Sequence, residues 1–282
     1  MSEHGLGLIT PFLLGAFQGI QVTRFARMAS NSIVLYDYLI TMDKEVELFW
    51  KSKWSIPKAL FFVNRYYILF AAVFSTYAFF ARVDGLTAAV SLKYLHWEGW
   101  TGLAAAMLAQ AILQMRLYAL YMRDKKILGL MLFFYVALSA VSAWIMWTDL
   151  AQFIVTIVSF AGGVPRLYIF YIPLMLFDGL LFVLAVFRGI QEAKSTGSLF
   201  HRGQSLIEIL IRDSIFYFLI IGLIYLVCIL CLKFEPPPLI DASIGFAPAM
   251  SGVLASRVLF NLREAGLETS LVYSNTQEVQ FR

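Results

Sequence analysis

Charged residues are scarce in this 282-residue chain. Asp, Glu, Lys and Arg together make up 14% of it, against about a quarter in an ordinary soluble domain. Hydrophobic residues make up 60%, and the mean hydropathy is +0.76. So few charges cannot cover the apolar surface of a water-soluble protein of this size, and lipid is the solvent that makes the composition reasonable. Cysteine is nearly absent. Cys228 and Cys231 lie three apart in one apolar run and read as small helix residues, because two thiols on one helix face are badly placed for a structural disulfide. The histidines His4, His96 and His201 are scattered, which excludes a zinc site of about four ligands at matched spacing. No metal and no cofactor is expected. The chain has no Asn-X-Ser/Thr acceptor, and Glu3 and His4 stand where a signal peptide carries basic residues, so a cleaved leader is not expected.

Positive charge is in only slight excess, at a net +4. The basic residues fall in short loops and form no continuous face, which argues against nucleic acid as a partner. They point to the lipid bilayer and its anionic cytoplasmic leaflet. Neither a Gly-X-Ser-X-Gly elbow nor a phosphate-binding loop occurs, so the chain does not read as an enzyme.

What the chain does have is apolar runs of membrane-spanning length, which requires about 20 residues at 1.5 Å each. Four are clean: Ala59 to Ala81, Thr101 to Met122, Ile127 to Trp147 and Leu206 to Leu232. A fifth, Leu167 to Phe187, is interrupted by Pro173 and Asp178. Two weaker ones complete the count. Phe25 to Met42 contains Arg27, Asn31 and Asp37, and Ile240 to Leu262 is rich in Ala, Gly and Ser, with Arg257 inside it. Small residues of that kind suit close helix packing. The expected fold is therefore all-α: a polytopic transmembrane helical bundle with seven spans over residues 25–264. Residues 1–24 form an outer segment with a short apolar lead-in, Leu8 to Ile20, and residues 265–282 a polar, disordered cytoplasmic tail. Ala151 to Gly162 is short for a span and reads as part of an outer loop.

Loop charge sets the orientation. With the N-terminus outside, Lys44, Lys51, Lys53, Lys58, Arg123, Lys125, Lys126, Arg188, Lys194, Arg202, Arg263 and Arg282 lie inside, twelve in all, against six outside: Arg24, Arg27, Arg82, Lys93, Arg166 and Lys233. That is the bias a cytoplasmic side carries. All six tryptophans fall at span ends, as in an aromatic belt. Pro236-Pro237-Pro238 marks a stiff loop before the last span, and Gly162-Gly163-Val164-Pro165 a break before the fifth.

Ionisable residues within spans are costly and are functional candidates by default. Here they are Asp37, Arg65, Arg116, Asp178, Arg212, Asp213 and Arg257. All but Asp178 lie toward the cytoplasmic ends and form a charge layer, in which Asp37 and Asp213 are the evident partners of Arg65, Arg116 and Arg257. Glu208 can satisfy Arg212 from one turn away. The layer is either a gate or lock that breaks on activation, or a set of anchors that snorkel to water and pin the bundle. Asp178, about eight residues from the nearer span end, is too short to snorkel. It is either a binding or proton-handling group or a buried, hydrogen-bonded structural acid. Gln110, Gln114, Tyr118 and Tyr121 recur at helical spacing on the third span, and Tyr171 shares a face with Asp178. This set either lines a pocket or glues helices together.

The run Tyr36-Asp37-Tyr38-Leu39-Ile40-Thr41-Met42-Asp43-Lys44-Glu45-Val46-Glu47, followed by Trp50-Lys51-Ser52-Lys53-Trp54-Ser55 and Asn64-Arg65-Tyr66, resembles the N-terminal signature of a family of fungal, mainly basidiomycete, integral membrane proteins. That family is catalogued as the domain of unknown function numbered six-five-three-three. Arg116-Leu117-Tyr118-Ala119-Leu120-Tyr121, Arg212-Asp213-Ser214-Ile215-Phe216-Tyr217-Phe218 and Ser256-Arg257-Val258-Leu259-Phe260-Asn261-Leu262-Arg263-Glu264 fit it as well. The resemblance implies a multi-pass membrane protein and makes the block around the first inner loop its defining feature. It brings no ligand and no catalytic residue. Seven spans with basic inner loops suggest a receptor-like role, with a cytoplasmic signalling partner at those loops. Motifs of known receptors are missing: Tyr121-Met122-Arg123-Asp124 closes the third span, and no Asn-Pro-x-x-Tyr closes the seventh. The last span has no lysine for a retinal Schiff base. A small-molecule or ion transporter is the alternative, on the strength of Pro173 beside Asp178 and of Gly245 with Pro248. A structural membrane protein is the third reading.

Overall fold

In hydrocarbon every backbone N–H and C=O must be satisfied within the protein, and a long apolar run does this as a helix. The computed structural model describes residues 3–81, 88–159, 168–195, 201–234 and 240–280, with side chains over most of 21–267. Among the described residues the chain is helical throughout, with no strand. The helices are α1 (Glu3–Ile40), the single turn α2 (Met42–Glu45), α3 (Ile56–Ala81), α4 (Ala88–Leu120), α5 (Lys125–Ser159), α6 (Tyr168–Ser195), α7 (His201–Phe234) and α8 (Ile240–Gln280). A π-helical turn, Val46–Trp50, follows α2.

Five helices are long and apolar enough to cross a membrane: Ile56–Ala78, His96–Leu120, Lys125–Asp149, Tyr168–Gln191 and Ser214–Lys233. They coincide with the five stronger runs read from the sequence. Most large side chains on their outer faces are apolar, among them Phe70, Phe133, Leu176, Phe187 and Leu223, as a bilayer environment requires. Trp144 and Trp147 face outward near one end of the apolar span of α5, while Trp50 and Trp54 do so just before α3, at the opposite end of the bundle, consistent with two interfacial belts. The weaker runs Phe25 to Met42 and Ile240 to Leu262 are helical parts of α1 and α8 but fall outside these five.

α4 is the central helix. It touches α3, α5, α6, α7 and α8, and 61% of its apolar window is buried, against 17% for that of α5 at the periphery. Small side chains make the centre dense: α4 packs on α8, and Ala105, Ala106 and Ala109 of α4 and Ala249, Gly252 and Ala255 of α8 are all buried. Gly252 allows the closest approach. A Cβ there would overlap the Ile68 side chain of α3. Alongside it Asn64 Nδ2 donates to Gly252 O at 3.0 Å and to Ser256 Oγ at 3.1 Å.

Two expectations need correction. The outer loop expected at Ala151 to Gly162 is helical as far as Ser159 in α5. Once a helix has formed, each further residue adds a hydrogen bond without a new nucleus, so α5 runs on beyond its apolar run. The tail expected to be disordered continues α8 to Gln280, since no proline follows Pro248 to stop it. The apolar lead-in Leu8 to Ile20 is the first half of α1, continuous with its second half.

Gly252→Val should lower the stability of the purified protein by roughly 1–3 kcal/mol, the usual cost of overpacking a tight core. Gly222→Val, where nothing lies within 4 Å of the added Cβ, should change it little. Detergent melting curves of the two variants would check the difference.

Candidate functional site

α1 ends at Ile40, where the backbone of Thr41 leaves helical angles at φ −107° and ψ 6°. Thr41 Oγ1 donates to Asp37 O at 2.5 Å, and the Thr41 amide donates to the same oxygen at 3.2 Å. The single turn of α2 and the π turn then carry the chain under α3, which brings Glu45 against Arg65. Glu45 is 2% exposed and Arg65 5%. Arg65 Nε donates to Glu45 Oε2 at 2.5 Å, and its Nη2 donates to Thr41 Oγ1 at 2.7 Å and to Tyr38 O at 3.1 Å. The second carboxylate oxygen, Glu45 Oε1, accepts from Tyr66 Oη at 2.9 Å and Trp50 Nε1 at 3.0 Å. The guanidinium lies 4.9 Å from the Tyr38 ring centroid and 5.3 Å from that of Phe260, within reach of cation–π attraction. Arg65 is therefore held by charge, hydrogen bonds and ring faces at once.

Asp37 is the second node. Its Oδ1 accepts from Arg257 Nε at 2.6 Å, and its Oδ2 stands 3.9 Å from Arg65 Nη1. The carboxylate thus lies between a cation of α8 and one of α3. Around this core the loop between α1 and α3 is fastened at other points. Phe49 is fully buried, stacked on Phe61 with centroids 3.7 Å apart and edge-on to Phe260 at 5.5 Å. Arg263 of α8 donates from Nη1 to Leu48 O and Ser52 Oγ, both at 2.6 Å. Lys58, also buried, donates to Ser52 O at 2.7 Å.

The charge layer read from the sequence is therefore partly assembled here. Asp37, Arg65 and Arg257 come together. The closest carboxylate to Arg65, however, is Glu45, which the sequence reading left in the loop. Arg116 is buried on α4 and, with Tyr118, lines a cavity between α3, α4 and α8. The side chains of Arg212 and Asp213 lie outside the described residues. Asp178 is 4% exposed and accepts a hydrogen bond from Gln110 Nε2 at 3.1 Å, and the same amide reaches Leu174 O at 3.3 Å. Tyr121 Oη donates to Leu184 O at 2.8 Å. Both contacts join α4 to α6. Gln114 is buried beside them in sequence, and Tyr171 packs its ring 5.7 Å from that of Tyr225 on α7.

A second polar cluster was not anticipated at all. Arg27, read as an outer charge, is 3% exposed and pairs with Glu98 of α4 at 2.6 Å. Its Nη1 also donates to Ser75 Oγ at 3.0 Å and to Tyr94 Oη. Arg27 stands ten residues before Asp37 on α1, about 15 Å along the axis at 1.5 Å per residue. The two clusters thus fasten α1 to α3 at two levels, one through α4 and the other through α8.

Residues 25–70 match the family described as a family of unknown function, DUF6533. The matched segment contains Arg27, Asp37, Glu45, Phe49, Phe61 and Arg65. Their partners Glu98, Arg257, Phe260 and Arg263 lie beyond it. A search of curated proteins finds no match to the chain.

Breaking a buried ion pair by removing one partner typically costs about 3–5 kcal/mol. Glu45→Ala should therefore destabilise the protein in that range. Asp37→Asn should cost less, because Arg65 keeps Glu45 as its closer carboxylate and the Arg257 side chain is half exposed to solvent or lipid head groups. Asp37→Arg combined with Arg257→Asp should recover part of the loss seen in each single variant. Thermal melting in detergent checks all of these. A double exchange no better than the worse single change would show that the pair does not couple.

Proposed function

We propose that the chain is a seven-span, receptor-like membrane protein in which the Asp37–Glu45–Arg65–Arg257 network acts as a lock on the first inner loop. The observation that carries this reading is that the charges which make α1 and α8 weakly apolar are matched inside the protein. Arg27 has Glu98, and Asp37 has Arg257. A matched charge costs far less in a bilayer than its hydropathy suggests, so α1 and α8 join the five strongly apolar helices as spans. With the N-terminus outside, the network then lies at the cytoplasmic ends of α1, α3 and α8.

A lock of this kind has two states by construction. Any shift of α8 relative to α1 and α3 separates Arg257 from Asp37 and withdraws Arg263 from Leu48 and Ser52. That frees the loop for a cytoplasmic partner, and a ligand that favours the shifted arrangement would be an agonist. Transport is the competing reading, motivated by Pro173 within α6 five residues before buried Asp178 and by Pro248 within α8.

Tags on both termini of the protein in intact cells, read by antibody access and protease protection, test the span count. An accessible N-terminus with a protected C-terminus is the expected result, and both termini on one side would contradict it. Reconstituted vesicles that show substrate-dependent flux abolished by Asp178→Leu would favour transport over the receptor reading.

A further inference from the structure

A cavity of about 460 Å³ lies between α3, α4 and α8, within the range of sites that take small organic ligands. It starts at the end of the bundle that carries Trp50 and Trp54, since Ile56, the first residue of α3, and Arg123, in the turn after α4, both line it. From there it runs along α4 as far as Ile112. The helix ends at Leu120, so this stretch of α4 is about 12 Å long at 1.5 Å per residue. Leu60 of α3, Met115 of α4 and Leu259 of α8 give the cavity apolar walls. Ile56 and Ala119 are exposed on the flank of the bundle, so it is open sideways, toward the position of lipid.

The polar groups of the lining are few. Tyr118 and Arg123 are two of them, and the Arg123 amide donates to Tyr118 O at 3.0 Å, which keeps the two residues together. That contact needs an unusual turn: Met122 and Arg123 both take left-handed backbone angles, φ 52° and 64°, a region that residues other than glycine visit uncommonly. Tyr67, Tyr121 and Tyr135 each donate their hydroxyl to a backbone carbonyl. Among the described residues the Tyr118 hydroxyl has no such partner. The Arg123 side chain is exposed, so its charge is met by water. Arg116, the other cation of the wall, has a partner of its own within the protein. The cavity therefore asks for no counter-ion.

A fitting occupant is neutral, largely apolar, and has one hydrogen-bonding group at its end. A phospholipid acyl chain meets only the first two conditions. It also gains little by exchanging the bilayer for a fixed cleft, since its rotatable bonds are frozen there. A sterol meets all three. Its fused rings are rigid and lose little freedom on binding, its single hydroxyl both donates and accepts, and the open flank admits it from the lipid. The sequence carries the same indication. Leu113, Tyr118 and Arg123 follow one another at intervals of five, the apolar–tyrosine–basic order proposed for sterol contact. The order alone is a weak pattern, but here its tyrosine and its arginine line one cavity. We propose that this cavity binds one membrane sterol, with its hydroxyl between Tyr118 and Arg123 and its rings against Leu60, Ile112 and Leu259. The site depends on neither the receptor nor the transport reading.

The test uses the full-length protein in phosphatidylcholine vesicles and a photoactivatable diazirine sterol, with the labelled residues mapped by mass spectrometry. Labelling should saturate, fall on the cavity walls of α3, α4 and α8, and be displaced by cholesterol. Cholestane, the same ring system without the hydroxyl, should displace the probe at least about threefold more weakly, the factor for one hydrogen bond. Tyr118→Phe should lower the affinity for the probe by about the same factor. Ala119→Trp, which fills the open flank from an exposed position, should lower it at least about tenfold. Val136→Trp, at an exposed position of α5 outside the cavity lining, should leave it within about twofold. Labelling that does not saturate, labelling spread over the exposed helix faces, equal displacement by cholesterol and cholestane, or wild-type affinity in both Tyr118→Phe and Ala119→Trp would overturn the proposal. An acyl chain as the occupant gives the first of these outcomes, because vesicle lipid is in large excess over the probe. Should Ala119→Trp fail to fold, Tyr118→Phe decides.

Discussion

A guanidinium shut away from water must be given its counter-charge by the protein, and Arg65 sets that requirement here. An unpaired ion in such surroundings costs several kcal/mol, so the chain around Arg65 is shaped to supply a carboxylate. The break at Thr41, the single turn of α2 and the π turn after it all serve to bring Glu45 back beneath α3. With Glu45 in place, Trp50 and Tyr66 have an acceptor, Phe49 reaches its slot against Phe61, and the loop has a fixed shape that Arg263 can clasp. The loop between α1 and α3 is thus built as part of the core although it lies at the end of the bundle.

The same requirement accounts for the charges carried by the first and last helices. Their hydropathy is lowered by residues whose charge is matched across helix boundaries: Arg27 by Glu98 of α4, Asp37 by Arg257 and, further off, by Arg65. Polar residues are the adhesive where small residues let helices approach, and Asn64 beside Gly252 shows both features at one contact. Helices of this kind gain little from lipid and much from each other. The strongly apolar α5, with few buried residues, is the opposite case and sits at the rim. The segment that matches the family of unknown function spans the second half of α1, the loop and the first half of α3, so the matched residues form one side of the network and the rest of the chain supplies the other.

Much of this was legible in the sequence. The five strongly apolar helices were readable because hydropathy over some 20 residues is a local property. Asp37, Arg65 and Arg257 stood out because a charge within an apolar run is conspicuous. Asp178 did for the same reason, and its contact with Gln110 joins two of the positions singled out. Glu45 and Glu98 escaped because their burial is not local. Glu45 follows Asp43 and Lys44 in a segment that reads as solvated, and only the return of the chain under Arg65 removes it from water. Glu98 lies close to a span end where acids are unremarkable, and Arg27, its partner, sits 71 residues earlier by the numbering. The continuation of α5 and α8 past their apolar runs was missed for a different reason: hydropathy locates the part of a helix that needs lipid and is silent on where the helix stops.

The central claim is that residues 42–52 are held as core by the pairing of Glu45 with Arg65. Hydrogen–deuterium exchange on the purified protein measures this directly. The account predicts that amides of this segment exchange slowly, with protection comparable to that of α3, and that Glu45→Gln speeds their exchange by at least about tenfold, the factor for 1.4 kcal/mol of lost local stability. Exchange of this segment at the rate of an open loop in the unaltered protein would contradict it.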